Sequence, residues 1–194
     1  ADVRYDLSFV IPADPAQPVT GRETVRFSLT DAKHPVVLDF EPGGEPVASV
    51  STGGKPVTAK LVNGHIVIPE KFLRKGENSF DLTFHAGSVP LNRTPDFMYA
   101  LFVPARAHQA FPCFDQPDLK AAFDITVTAP AHWEVISNGA TVSAERDGDV
   151  AVHTFATTPR MSTYLVALIA GPYAVWRDVY TDEHGEIPLG IDRK

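Results

Sequence analysis

The sequence predicts an all-β fold, a large antiparallel β-sandwich with few helical turns. Apolar and polar residues alternate with a period of two through most of its apolar segments, which is typical of strands with one buried face. Asn63-Gly64 and Asp147-Gly148 stand between such segments, and both dipeptides are strong hairpin signals. Only residues 70–76 suggest a helix, as one turn closed by Gly76. Many short strands with regular turns indicate a sandwich.

The first two predicted strands, residues 3–11 and 24–29, each place every second residue on a buried face. Pro18 and Gly21 interrupt the chain between them, so we expect an antiparallel pair. Further strands are predicted at residues 36–40, 57–62, 65–68, 79–85, 123–128, 133–136, 141–145, 150–156 and 163–169.

The composition of the chain argues against several classes of binding partner and environment. The net charge of −7 argues against a nucleic acid, because phosphate binding needs a basic face. No apolar run approaches the roughly 20 residues of a membrane-spanning helix. One cysteine excludes an internal disulfide, which fits a bacterial cytoplasm or periplasm equally well and leaves the compartment unknown.

Residues 111–118, which we call the F-P-C-F loop, bring together two prolines and two carboxylates. Pro112 and Pro117 fix φ and remove backbone donors, so this segment is predicted to be a rigid loop. Asp115 and Asp118 could bind a cation or act as acid and base. Aspartates in proline-bounded turns more often accept hydrogen bonds from their own loop, and we expect that role here.

Two candidate nucleophiles have simpler structural roles. Cys113 is predicted to be a buried apolar residue, because the sequence shows nothing that would orient His108 as its base. Ser162 and Thr163 lie in an apolar run without the glycines of a nucleophile elbow. We expect their hydroxyls to be hydrogen-bonded within a central strand.

Three motifs in the same order carry a resemblance to a known family. They are F-P-C-F-D-Q-P at residues 111–117, I-S-N-G at 136–139 and M-S-T-Y-L-V-A at 161–167. Together they resemble the N-terminal domain of the M1 family of zinc aminopeptidases, over nearly the whole chain. The resemblance implies a saddle-shaped β-sandwich domain over residues 1–180. It also implies that residues 181–194 are a linker toward a catalytic domain absent from this chain.

The sequence lacks the zinc-binding motif that the resemblance implies. It would consist of H-E-x-x-H, with two histidines on one helix face, and a distant glutamate. No two of the seven histidines are four residues apart. We therefore expect no metal ligands, no catalytic residues and no cofactor in this chain, and zinc in the full-length protein beyond Lys194.

The resemblance further implies a substrate-binding segment. In the family, a Gln-x-Glu or similar element ahead of the F-P-C-F loop receives the free α-amino group, for which a carboxylate is a strong acceptor. Counting back from Cys113 places these positions at Leu101 and Val103, which have no side-chain acceptor. Tyr99 and Phe102 are predicted to line an apolar pocket, with ordinary core packing as the open alternative. Pro104 leaves nearby carbonyls free of strand pairing. The candidate substrate-binding residues are Tyr99, Leu101, Phe102, Val103 and Pro104.

Three hypotheses about function follow. The leading one is the non-catalytic N-terminal domain of a zinc metallo-aminopeptidase. Its partners would be the C-terminal catalytic domain of the same protein and the N-terminus of a peptide substrate. The alternatives are a stand-alone β-sandwich binding module and a domain of a catalytically inactive M1-like protein. The leading hypothesis predicts an exposed apolar patch for the partner domain around residues 98–102 and 111–114.

Overall fold

The computed structural model describes residues 2–43, 48–175, 178–182 and 185–189. This part of the chain is built almost entirely of strands. They are β1 (Val3–Val10), β2 (Thr20–Leu29), β3 (Val36–Asp39), β4 (Ala48–Thr52), β5 (Lys55–Pro56), β6 (Lys60–Val62), β7 (His65–Ile68), β8 (Gly76–His85), β9 (Leu91–Arg93), β10 (Met98–Ala100), β11 (Ala121–Pro130), β12 (Glu134–Ser137), β13 (Thr141–Asp147), β14 (Val150–Phe155), β15 (Leu168–Gly171), β16 (Asp178–Asp182) and β17 (Gly185–Leu189). Three short 3-10 helices cover Glu70–Phe72, Ala107–Gln109 and Thr163–Leu165.

The largest sheet has eight strands in the order β13-β14-β11-β1-β2-β8-β4-β5. β1 lies inside it, antiparallel to β2 and parallel to β11. The predicted alternation of β1 is confirmed, since its four odd-numbered side chains from Val3 to Phe9 are all buried. The predicted antiparallel pairing of the first two strands is confirmed as well.

Smaller sheets complete the all-β sandwich. Four strands are ordered β12-β15-β10-β9, three are ordered β3-β7-β6, and β16 pairs with β17. Buried side chains from the eight-, four- and three-stranded sheets meet in one continuous core. Aromatic rings form its centre: Tyr5 stacks on Phe123 at 5.0 Å, and Phe9 meets Phe84 edge-on at 6.0 Å.

Both predicted hairpins are confirmed. Asn63 and Gly64 join β6 to β7 with φ of 50° and 75°, as a two-residue turn with two positive φ angles requires. The second turn joins β13 to β14, with Asp147 paired to Val150. Its two turn residues are thus Gly148 and Asp149, one position later than the dipeptide suggested.

Two predicted strands are wrong in extent. Residues 57–62 do not form one strand, because the amide of Ala59 bonds locally to the carbonyl of Val57 at 2.9 Å. The chain leaves the eight-stranded sheet there and enters the three-stranded sheet at β6. Residues 163–169 begin as a 3-10 helix instead, and β15 starts only at Leu168.

The pairing of the strands and the end of the first helical turn also differ from the predictions. The sheets are not purely antiparallel, since β1 and β11 are parallel with residues 11–120 between them. The helical turn at residues 70–76 ends at Leu73 rather than at Gly76, which opens β8 with φ of 89°. The reason is Asn78, whose amide oxygen accepts from the Arg74 amide while its amide nitrogen donates to the carbonyls of Arg74 and Gly76.

The predicted division of the chain at residues 180 and 181 stays a prediction. That position falls within the β16–β17 hairpin. Residues 183–184 and 190–194 of the predicted linker lie outside the described residues. Among the described residues, no helix combines the length and the apolar character needed to cross a membrane.

Candidate functional site

The F-P-C-F loop is attached to two strands through its backbone. Asp39 at the end of β3 and Cys113 exchange two hydrogen bonds, at 2.7 and 3.0 Å. The amide of Phe114 donates to the hydroxyl of Tyr5 on β1 at 3.0 Å. A loop bonded in this way to two sheets has a fixed position, which agrees with the rigidity predicted from its prolines.

The first residues of this loop belong to the core. Phe111 is fully buried and meets Tyr5, Phe9 and Phe102 edge-on, with ring centroids 6.0 to 6.3 Å apart. Cys113 is also fully buried. The apolar patch predicted at residues 111–114 is therefore wrong, because the side chains of residues 111–113 fill the interior instead of facing solvent.

Asp115 connects three segments of the chain. One carboxylate oxygen lies 2.6 Å from His108 Nδ1 and accepts from the His108 amide at 3.3 Å. The other oxygen accepts from the hydroxyl of Thr163 at 2.5 Å. The expectation that Asp115 caps its own loop is corrected, since its partners lie outside the loop. The neighbouring Asp118 is exposed.

A second aspartate extends this network. Asp39 Oδ2 accepts from the Asp115 amide at 3.1 Å and from the side-chain amide of Gln116 at 3.0 Å. Its Oδ1 lies 3.0 Å from His65 Nδ1. Asp39 therefore bonds to the loop from outside, and Asp115 bonds the loop to His108 and Thr163, which gives both carboxylates a structural role as hydrogen-bond acceptors.

The three sequence motifs contact one another. Ser162 donates to the carbonyl of Pro117 at 2.6 Å, so the third motif bonds to the first. Asn138 of the second motif accepts from the Ala167 amide at 2.7 Å and donates to the Leu165 carbonyl at 3.0 Å. Ser162 and Thr163 are hydrogen-bonded as predicted, but at the start of a 3-10 helix rather than within a strand.

Cys113 is not in a state to act as a nucleophile. Burial raises the pKa of its thiol well above the usual value, and the nearby carboxylate of Asp115 raises it further. His108 is oriented after all, by Asp115, but the buried thiol stays protonated at neutral pH. The prediction that Cys113 is a buried apolar residue is confirmed.

The predicted substrate-binding residues form an exposed segment beside the loop. We call residues 99–104 the edge segment. Leu101 and Val103 are 48% and 53% exposed, and Tyr99 and Pro104 are exposed too. Phe102 instead points into the core against Phe111. Met98 is buried, so the apolar surface predicted at residues 98–102 is limited to Tyr99 and Leu101, with Val103 beside them.

A model of one protein family matches this region. The model describes the peptidase M1 N-terminal domain and matches residues 92–165, from β9 through the edge segment and the F-P-C-F loop to the last 3-10 helix. The chain belongs to the M1 peptidase N-terminal domain family. The resemblance inferred from the three motifs is therefore confirmed.

Relatives of this M1 domain are much longer proteins. Aminopeptidase N of Streptomyces lividans is 43% identical over 95 residues, which are 49% of this chain and 11% of that protein. Probable aminopeptidase 2 of Sulfurisphaera tokodaii is 33% identical over 163 residues, which are 79% of this chain and 20% of the relative. The chain thus spans between a tenth and a fifth of the length of these two proteins.

Solved structures share the fold of the M1 domain. An aminopeptidase A of Legionella pneumophila, in complex with aspartic acid, aligns with a TM-score of 0.80 at 18% identity and covers 97% of this chain and 25% of its own. An M1 zinc metallopeptidase of Deinococcus radiodurans aligns with a TM-score of 0.75 at 23% identity, over 92% of this chain and 43% of its own.

The described residues of this M1 domain do not fit a zinc ion. Within the described ranges, no group of three or more His, Cys, Asp or Glu side chains is arranged to hold a metal. His108 and His65 are each bonded to an aspartate of the network around the loop. Sequence reasoning missed that network, because residues 108, 115 and 163 follow no common spacing that would reveal it.

Proposed function

We propose that this chain is the non-catalytic N-terminal domain of a zinc aminopeptidase and that its edge segment forms part of the substrate cleft. The observation that carries the proposal is the contrast between two neighbouring segments. Residues 111–113 of the F-P-C-F loop are buried and the loop is hydrogen-bonded to two sheets, while Leu101 and Val103 beside it are about half exposed. Exposed apolar side chains on a rigid base are suited to contact a ligand or a partner domain.

The proposal places the catalytic residues and the metal ligands in the rest of the protein. The similar proteins named aminopeptidase extend far beyond the matched region, which supports a catalytic domain that follows this one. Zinc and its ligands would lie in that domain. We further propose that residues 1–180 form the N-terminal domain and that 181–194 lead toward the catalytic part.

Within the edge segment, four residues would face the substrate: Tyr99, Leu101, Val103 and Pro104. Phe102 would support them from the core, where it packs on Phe111. None of the four offers a carboxylate to the protonated amino group of a peptide. The apolar side chains of Leu101 and Val103 would instead contact apolar parts of the substrate.

We expect the purified 194-residue chain to bind no stoichiometric zinc and to hydrolyse no aminoacyl-arylamide. The reason is the absence, among the described residues, of a cluster of ligands with zinc geometry. Metal analysis after dialysis and a chromogenic assay measure the two properties. One tightly held zinc per chain would contradict the proposal that the metal site lies elsewhere in the protein.

In the full-length protein, Val103→Glu is expected to strengthen binding of substrates with a free amino group. A hydrogen bond to a charged group contributes about 1.5–3 kcal/mol, which corresponds to about tenfold to a hundredfold in affinity. Because Val103 is 53% exposed, the substitution should change stability by less than about 0.5 kcal/mol. KM and kcat for an aminoacyl substrate, with the wild type beside the variant, test this expectation.

Val142→Glu is the matched control. Val142 is also an exposed valine, but it lies on β13 at the far edge of the eight-stranded sheet. Its substitution should leave KM and kcat unchanged. If Val103→Glu folds normally and its kinetics equal those of Val142→Glu, the edge segment does not meet the substrate amine. A full-length protein without any peptidase activity would favour the inactive M1-like alternative.

A further inference from the structure

Glu23 is a carboxylic acid placed among apolar residues. It lies on the core face of β2, with Gly21 and Val25 on the same face, and its register partners are Leu7 and Leu82. Only 3% of the residue is exposed. Among the described residues, neither carboxyl oxygen has a hydrogen-bond partner. A charged carboxylate is very unstable in such a place, so the position requires the neutral acid.

The groups nearest to Glu23 cannot compensate a negative charge. Tyr5, paired with Val25, lies next to Leu7 on the core face of β1 and is therefore the diagonal neighbour of Glu23. Its hydroxyl accepts from the amide of Phe114, which follows Cys113 in the F-P-C-F loop. A charge on Glu23 would raise the pKa of the Tyr5 hydroxyl and of the Cys113 thiol. Both are themselves acids, and Asp115 and Asp39 add further negative charge around Cys113. The neighbouring strand β8 contributes Leu82, which is uncharged. Burial alone raises the pKa of Glu23 well above its usual value.

We propose that Glu23 is a pH-sensitive group that controls how firmly the F-P-C-F loop packs on the eight-stranded sheet. As the neutral acid, it lets Tyr5 keep its place on the core face of β1, where the Tyr5 hydroxyl accepts from the Phe114 amide of the loop. Once ionised, the carboxylate must gain water or move toward solvent. The hydrogen bond of Tyr5 with the loop and the burial of Cys113 within it are what this change disturbs.

The direction of the pH effect follows from linkage. The pKa of Glu23 is higher in the folded chain, where the side chain is buried, than in the unfolded chain, where water surrounds it. The stabilisation of the folded state by the bound proton is complete below the unfolded pKa and is lost as the pH rises through the folded pKa. Alkaline rather than acidic solution therefore weakens the packing of the F-P-C-F loop on the eight-stranded sheet.

Cys113 supplies a direct probe of the loop, since it is the only cysteine and is fully buried. The experiment measures its rate of reaction with a chromogenic disulfide reagent between about pH 5 and about pH 7.5, below the pKa of a free thiol, divided by the rate of a free cysteine peptide. In the wild type this ratio should increase with pH, by up to about tenfold per pH unit. In Glu23→Gln, which cannot ionise, it should stay constant.

Two further variants serve as controls for this experiment. Glu145→Gln, at an exposed position on β13, should follow the wild type. Glu23→Leu serves as a second non-ionising variant if the glutamine does not fold. The proposal is overturned if the wild-type ratio is independent of pH, a result that requires neither variant. It is overturned equally if a folded Glu23 variant and the wild type show the same pH dependence.

Discussion

Asp115→Ala is expected to lower the free energy of unfolding by about 1–3 kcal/mol, because the buried polar groups of His108 and Thr163 lose their hydrogen-bond partner. The side chain of Asp115 is only 5% exposed and lies 2.6 Å from His108 Nδ1. Its loss also leaves the Thr163 hydroxyl without its acceptor. Urea denaturation followed by circular dichroism measures the change.

Asp118→Ala is the control for this substitution. Asp118 lies in the same loop and is exposed, so its change should cost less than about 0.5 kcal/mol. Asp115→Asn keeps one acceptor oxygen and should fall between the two. Equal unfolding midpoints for Asp115→Ala and Asp118→Ala would show that the network contributes nothing to stability.

Gly87→Ala is expected to destabilise the chain by about 3 kcal/mol or more, at the upper end of overpacking effects. A Cβ at this position would lie 2.2 Å from the carbonyl oxygen of Pro42 and 2.3 Å from that of Gln109. Both atoms belong to the backbone, so neither can rotate away. The Gly87 amide also donates to the Gln109 carbonyl at 2.9 Å, which holds the segments together.

Thermal unfolding compares this variant with Ser88→Ala. Ser88 is the exposed neighbour of Gly87, and its substitution should leave the midpoint nearly unchanged. Similar midpoints for both variants would mean that the loops at Pro42 and Gln109 can move apart without cost. The close approach would then have no role in positioning the segment that leads into the F-P-C-F loop.

Patterns in the sequence predicted the strands and turns that depend only on residues close together in the chain. The alternation in β1 and β2 follows from one buried sheet face, and the Asn63-Gly64 turn follows from its need for positive φ. The parallel pairing of β1 with β11 has no local cause, because residues distant in sequence meet only in the assembled sheet. The end of the first 3-10 helix at Leu73 likewise depends on Asn78, a side chain of the following strand.

For the candidate site as well, the sequence predicted the local features and not the tertiary contacts. The motifs identified the loop, and the structure shows why they occur together, since Ser162 and Asn138 bond across them. The contacts of Asp115 with His108 and Thr163 were not predictable, because they join segments through tertiary structure. Glu23 lies just before the second predicted strand and was not singled out, because only its burial in the folded chain distinguishes it.

The parallel pair of β1 and β11 has a consequence for biosynthesis. A ribosome makes β1 early, but β11 emerges only after residues 11–120, several seconds later at about 5–20 residues per second. During that interval one edge of β1 has no partner, and its unpaired amides and carbonyls can pair with another strand. Closure of that edge of β1 therefore waits for the segment directly after the F-P-C-F loop. Until then the nascent chain needs protection of the open edge to avoid aggregation.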